Sequence, residues 1–270
     1  MTEYEPYGAR HFLRAADAEG ISELRRHEIP LRDGTEVPKG GSTDTDRVDP
    51  GALGYFRTLV VRRSPAQSRP PSPYRLVWRG TYYEAWQRPA APAPLPRRLP
   101  LGGRDDPYGI PDCARVRAWA TDGPLVAAAG NPPVVMRTAP LAPVDAGPSE
   151  IKAEVRVPRR ATYEIWLGGS VRSGAQLFVD GQPAGEVRHE LNNEGQYVRL
   201  GEAELDPGVH EVEVRIAGPD LHPGSAGQGG DLGPLSLSST DPAQTRLVSV
   251  PASRARSLCG RRWDWIEVAS

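Results

Sequence analysis

Residues 151–216 read IKAEVRVPRRATYEIWLGGSVRSGAQLFVDGQPAGEVRHELNNEGQYVRLGEAELDPGVHEVEVRI, a succession of short alternating segments. Val155 and Val157, then Tyr163, Ile165 and Leu167, then Leu177 and Val179, then Val212, Val214 and Ile216 each occupy one parity of their own segment, and polar residues fill the other. Side chains of a strand point alternately to opposite faces, so this pattern builds sheets with one buried and one wetter face. Asp180-Gly181 suits a tight hairpin that needs positive φ angles, and Asp206-Pro207-Gly208 is a second turn signal. Strands this short and this closely spaced predict a jelly-roll β-sandwich, mainly β, rather than a parallel α/β sheet.

Outward from that core, 29 glycines and 29 prolines in 270 residues favour strands and loops over long helices. The hydrophobic content of 38% is compatible with a packed core. The first hundred residues read as a small α/β unit. MTEY suits a strand, YGARHFLRAA (7–16) and GALGYFR after Asp49-Pro50 suit short helices, and Thr58–Arg62 suits a strand. SPAQSRPPSP interrupts regular structure, and YRLVWRGTYYEAWQR reads as a hairpin turning near Arg79-Gly80, with Leu76, Trp78, Tyr82 and Ala85 as inward positions. The domain reading is therefore 1–100 for the α/β unit, 101–114 for the Pro/Gly-rich connection and 115–270 for the sandwich.

The net charge of −1 conceals an uneven distribution. Residues 55–104 hold 10 arginines against Glu84 alone, interleaved with Tyr74, Trp78, Tyr82, Tyr83 and Trp86. Such a segment suits stacking and phosphate binding, as on nucleic acid, anionic lipid headgroups or a phosphorylated sugar carrier. The plainer reading pairs these arginines with the acidic flanks across a domain interface. No stretch approaches a bilayer span, and MTEYEPYGAR lacks the regions of a signal peptide. Two arrangements remain, a cytosolic protein or a soluble region of a larger membrane protein. Cys113 and Cys259 are too far apart for a CxxC motif; in an oxidising compartment they would pair, in the cytosol they would be small buried hydrophobes.

Three stretches, EYEPYGARHFLR (3–14), YFRTLVVRRSPAQSRPPSPYRLVWRGTYYEAWQRP (55–89) and LCGRRWDWIEV (258–268), resemble the extracytoplasmic soluble region of actinobacterial multi-spanning membrane glycosyltransferase-like proteins. The resemblance implies tethering to the plasma membrane, a membrane-embedded part of the same polypeptide, glycan or lipid-linked sugar as partner, no nucleic acid, and transfer chemistry outside this chain. VDGQPAGEV and the terminal WDWIEV are similar to the central hairpin and closing strand of carbohydrate-binding modules with a galactose-binding-like jelly roll.

For sugar recognition the first residue is Trp166, which alternation places opposite Tyr163, Ile165 and Leu167. An exposed indole offers a platform for a sugar's C–H face, and Glu164, His189, Asn192, Asn193 and Gln196 offer hydroxyl contacts. The alternative is an indole covered by other parts of the chain. Trp263 and Trp265 share one parity of the last strand, and Trp78, Trp86 and Trp119 suit packing. The five histidines show no HExxH spacing, and no serine lies in GxSxG. Glu164 and Glu190 are the carboxylates to consider for glycoside hydrolysis. No cofactor is expected, except that DTDRVDP (44–50) offers spaced aspartates to a structural Ca2+, without the EF-hand glycine and terminal glutamate; solvated loop carboxylates are the simpler reading.

Overall fold

The structure is a computed structural model and describes residues 28–37, 42–89, 94–137, 149–192, 195–222, 225, 232–242 and 245–269. The 7–16 helix and the strand at MTEY lie outside these residues. The elements in chain order are α1 (Pro50–Tyr55), β1 (Thr58–Arg62), β2 (Arg75–Arg79), β3 (Tyr83–Gln87), β4 (Arg98–Pro100), α2 (Cys113–Trp119), β5 (Leu125–Ala129), β6 (Val134–Met136), β7 (Ser149–Val157), β8 (Ala161–Gly168), β9 (Val171–Val179), β10 (Gln182–Glu190), β11 (Tyr197–Leu205), β12 (Gly208–Ile216), β13 (Leu235–Ser239), β14 (Arg246–Val250) and β15 (Trp265–Val268). They fall into two compact units, one of residues 1–63, 67–130 and 245–270, the other chiefly of residues 131–244.

The second unit is two four-stranded antiparallel sheets, ordered β10-β9-β12-β7 and β11-β8-β13-β6. Pairing is nested. β9 meets β10, β8 meets β11, β7 meets β12 and β6 meets β13, so the chain is a long doubled ribbon rolled into a sandwich, the jelly-roll arrangement. The inward parity is the one that the sequence marks: Val155, Tyr163, Ile165, Leu167, Leu177, Val212 and Val214 form one buried cluster with Leu235 and Leu237. Asp180 (φ 48°) and Gly181 (φ 75°) form the β9–β10 hairpin turn. His210 fastens that turn, with Nδ1 2.7 Å from Asp180 Oδ2 and Nε2 2.8 Å from the Asp206 carbonyl. At the seam of the two sheets β10 and β11 touch backbone to backbone. A Cβ on Gly201 would lie 2.2 Å from the Ala184 oxygen, and one on Gly185 would lie 2.2 Å from the Leu200 oxygen.

The jelly roll is complete between Val134 and Ser239, which departs from the 115–270 boundary. β5, β14 and β15 instead join β4 in the sheet β14-β5-β15-β4 of the first unit. The terminal WDWIEV therefore closes the first unit, not the jelly roll. Gly109, inside the 101–114 connection, bridges to Trp263. Period-2 alternation identifies strands equally well in either unit, and only long-range pairing assigns them.

In the first unit Asp49 caps α1, its carboxylate accepting from the Gly51 and Ala52 amides, and β1, β3 and β2 form a three-stranded sheet with β2 at one edge. Trp263 and Trp265 are both buried, as is Ile266, so this strand is covered on both faces. The Trp265 indole donates to the Arg69 carbonyl at 2.7 Å and the Trp263 indole to the Leu258 carbonyl at 2.8 Å. Cys113 and Cys259 form a disulfide, with Cα atoms 5.5 Å apart, joining α2 to the end of a 3-10 turn at Ala252–Leu258.

The QSRPPS segment, irregular as read, is the centre of a buried ionic network. Arg98, 3% exposed, pairs with Asp46 and donates to the Arg69 carbonyl at 2.6 Å, with its guanidinium over the Trp265 ring. Glu267 accepts from the Ser72 amide, Asp264 from the Arg69 amide at 2.7 Å, and Asp46 from the Ser68 hydroxyl at 2.6 Å. Burial pushes the Asp46 carboxyl up to about 7 and raises Asp264 and Glu267 as well, because desolvation disfavours the charged form. The aspartates of DTDRVDP are thus not solvated loop carboxylates. Asp46 is inside this network, Asp44 holds the Ser68 amide and the Gln67 side chain, and Asp49 caps α1. A prolyl-rich loop has few amides free for regular pairing, and these carboxylates take the ones it has.

Candidate functional site

The jelly roll carries a polar cluster at one end, where the β8–β9 turn, the residues after β10, residues 217–222 and Ser225 meet. Asn192 is the clamp. Its amide donates to Ser170 Oγ at 2.9 Å, its Nδ2 donates to the Gly169 carbonyl at 2.7 Å, and the Gly169 amide donates to the Gln196 carbonyl at 3.0 Å. His189 has φ 54°, a left-handed conformation that costs a β-substituted residue energy and that its surroundings must hold. Its Nδ1 lies 3.0 Å from the Arg172 carbonyl, which can only accept, so Nδ1 carries a proton and Nε2 faces Asp220 Oδ2 at 3.5 Å. The His189 and His222 rings are stacked with centroids 3.9 Å apart. Hydrogen bonding from the Ser225 side chain and from the His222 amide keeps the Asp220 carboxyl below the usual range. Leu191 and Leu221 are exposed next to these imidazoles in sequence.

The residues proposed from sequence divide between this end and a second place. His189, Asn192 and Gln196 come to the loop end, with Gln196 buried, while Asn193 lies outside the described residues. Trp166 and Glu164 are on the outer face of β8. Trp166 is opposite the core parity as expected, but it is 4% exposed and its cross-strand neighbour Ser236 is 0% exposed, so the indole is no open platform. Alternation distinguishes the two faces of a strand; it carries no information on whether the outer face meets water. Glu164 accepts from Arg199 Nε at 2.9 Å, and Arg199 also donates to Glu202 at 2.6 Å. Glu190 is opposite Val171 in the other sheet, so Glu164 and Glu190 do not share a face. His222, Asp220 and Ser225 were missed. They stand in the glycine-rich stretch GPDLHPGSAGQGGDLGP, and nothing in its spacing links them to His189. Among the described residues no group of three His, Cys, Asp or Glu is placed to hold a metal ion, and no helix is long and apolar enough to cross a membrane.

The arginine and aromatic segment of the first unit also divides. Tyr74 is buried, its hydroxyl donating to the Leu53 carbonyl at 3.0 Å and its pKa pushed by burial to about 12; Trp86 is buried too. Arg88 and Arg98 are interior, and Arg98 pairs with an aspartate of the acidic N-terminal flank, though within one unit and not across a domain interface. Trp78 and Tyr82 are exposed, against their reading as inward or packing positions. A register shift between Leu76 and Trp78 rotates the strand, so simple alternation does not apply across it.

No protein-family model matches the chain, and no curated protein matches it in sequence. Solved structures give partial likenesses. A family 35 carbohydrate-binding module from Clostridium thermocellum is 13% identical, with 39% of this chain and 93% of that one covered and a TM-score of 0.25. A GH26-CBM35 β-(1,4)-mannanase from Podospora anserina is 13% identical, over 45% of this chain and 28% of that one, with a TM-score of 0.27. A GH2 β-galacturonidase from Eisenbergiella tayi is 13% identical over 43% and 25%, with a TM-score of 0.28. The chain spans a quarter or less of the galacturonidase structures it matches. TM-scores this low carry no argument about ligand or activity.

Proposed function

We propose that this chain is a non-catalytic extracytoplasmic accessory region of a membrane glycosyltransferase, and that its jelly roll recognises glycan at the loop end rather than at Trp166. The observation that carries the reading is His189, held at φ 54° and stacked on His222 beside Asp220. Strained backbone kept in place by its surroundings points to a site, and ring faces, polar groups and neighbouring leucines are the mixture a glycan surface needs. Pairing of Cys113 with Cys259 supports an oxidising compartment. The resemblance to membrane glycosyltransferase-like proteins supports the tether and the lipid-linked sugar as ligand. The separation of Glu164 from Glu190 on different sheets supports a role other than hydrolysis.

Calorimetry of the whole chain with cell-envelope glycans tests this. Binding that weakens about tenfold or more in His222→Ala and Asp220→Asn, and that survives Trp166→Phe, supports it; a tenfold loss corresponds to about 1.4 kcal/mol. Binding indifferent to the two loop variants refutes the site. A second reading, a purely structural brace for the transferase, is favoured by the burial of Trp166, Glu164 and Gln196. It stands if no glycan binds a folded chain.

A further inference from the structure

The β2–β3 hairpin of the first unit has no role in the glycan reading, and its surface is unusual. Every residue of β2 is exposed, on both faces of the strand. Leu76 is 40% exposed, Val77 58%, Trp78 56% and, across the turn, Tyr82 51%. A strand in a three-stranded sheet ordinarily turns one apolar face to a core. Here the chain presents aliphatic and aromatic side chains to solvent together. The tip is shaped for it: a Cβ on Gly80 would lie 2.4 Å from the Trp78 ring, so the absence of a side chain at Gly80 lets the indole fold over the turn.

Near this apolar tip stand Arg62, Arg63 and Arg79, with Arg75 at the other end of β2. The Arg63 amide donates to the Tyr82 carbonyl, Arg62 is opposite Tyr83, and Arg75 and Arg79 flank the exposed stretch on β2 itself. The acidic residue of the hairpin, Glu84, is bound to Arg79 at 2.7 Å and to the Trp86 indole at 2.9 Å. The tip is therefore apolar at its centre, amphipathic at Trp78 and Tyr82, and positive at its rim.

We propose that this hairpin docks on a membrane surface of anionic lipid headgroups, with Trp78 and Tyr82 at the headgroup level, Leu76 and Val77 towards the acyl boundary, and the arginines on phosphates. Indole and phenol rings favour the interface between water and hydrocarbon, and arginine pairs with phosphate through its planar fork. Other occupants fit less well. An added strand needs a regular edge, and the irregularity at Val77 interrupts this one. A second copy would bring like charges together. Nucleic acid offers phosphates and ring faces but no apolar acceptor for Leu76 and Val77. The proposal stands independently of the glycan assignment, because the probe carries no glycan.

Sedimentation of the full chain with vesicles tests it, using phosphatidylcholine alone and phosphatidylcholine mixed with phosphatidylglycerol. The rim favours the anionic vesicles by about fivefold at low salt for each net positive charge near the surface, and the preference shrinks as salt rises. Trp78→Ser removes an already exposed ring, so the melting temperature stays put while partitioning falls at least tenfold; Arg75→Gln lowers it about fivefold. Brominated lipids quench the fluorescence of the wild type and not of Trp78→Ser in the same proportion. No partitioning, equal partitioning into both vesicles, or partitioning unchanged in Trp78→Ser overturns the proposal, as does binding of an oligonucleotide or dimerisation in place of vesicle binding.

Discussion

Replacing Arg98 by methionine isolates the ionic network that joins the QSRPPS loop to the last strand. Methionine keeps the apolar contact over the Trp265 ring and removes the charge. What remains is Asp46 without its guanidinium partner, Glu267 without a guanidinium 3.9 Å away, and the Arg69 carbonyl with one donor fewer, the Trp265 indole remaining. Breaking a buried pair by removing one member costs about 3–5 kcal/mol, because the other charge stays desolvated. In a unit of about 150 residues each kcal/mol moves the melting temperature by roughly 2–4 °C, so a loss of about 12 °C is expected near pH 8. The loss depends on pH in a definite direction. Asp46, near 7 in the folded state and about 3.8 in the unfolded chain, binds protons more readily when folded, so its contribution declines as pH rises between those values. Arg98 is what holds Asp46 and Glu267 down against burial, so without it both protonate at still higher pH. At pH 5 the orphaned Asp46 carboxyl is neutral, and much of the lost stability returns. Adding Asp46→Asn to the variant recovers part of the loss at pH 8 for the same reason. The readout is urea or thermal unfolding of each variant at pH 5 and pH 8. A loss under about 1 kcal/mol at pH 8, or an equal loss at both pH values, would refute a network held by desolvated charge.

Gly201→Ala places a methyl 2.2 Å from the Ala184 oxygen at the seam of the sandwich, and about 3 kcal/mol of stability is lost by denaturant unfolding; a change within about 0.5 kcal/mol would show that the seam yields. Replacing Cys113 and Cys259 by serine opens a separation of 146 residues, costing up to about 5 kcal/mol on the chain-entropy account. The intact protein measured without reductant is correspondingly lighter than the dithiol form by a pair of hydrogens, and equal masses would refute the bridge. The carboxylate of Asp180 raises the His210 pKa, and His210 in turn lowers that of Asp180. Their joint contribution is therefore present between the ordinary aspartate and histidine values and fades on either side. In Asp180→Asn the His210 proton resonances titrate nearer the ordinary value of about 6.5; an unmoved midpoint would mean that the pair is not formed in solution.

Local rules carry the jelly roll a long way. The parity of Val155, Tyr163, Ile165, Leu177 and Val212 and the hairpin at Asp180-Gly181 follow from sterics and from a period of two, which need only neighbouring residues. The cap at Asp49 and the extent of Thr58–Arg62 are local in the same sense. Three things depend on partners distant in sequence, and only the tertiary structure decided them. WDWIEV alternates as a jelly-roll strand would, yet it pairs with Arg98–Pro100 and Leu125–Ala129. Trp166 is on the predicted face, yet that face is covered, since solvation depends on what packs above a sheet. His189 finds His222 and Asp220 across 30 residues of chain that no periodicity connects. A single sequence specifies which way a side chain points; what that side chain meets depends on the rest of the chain.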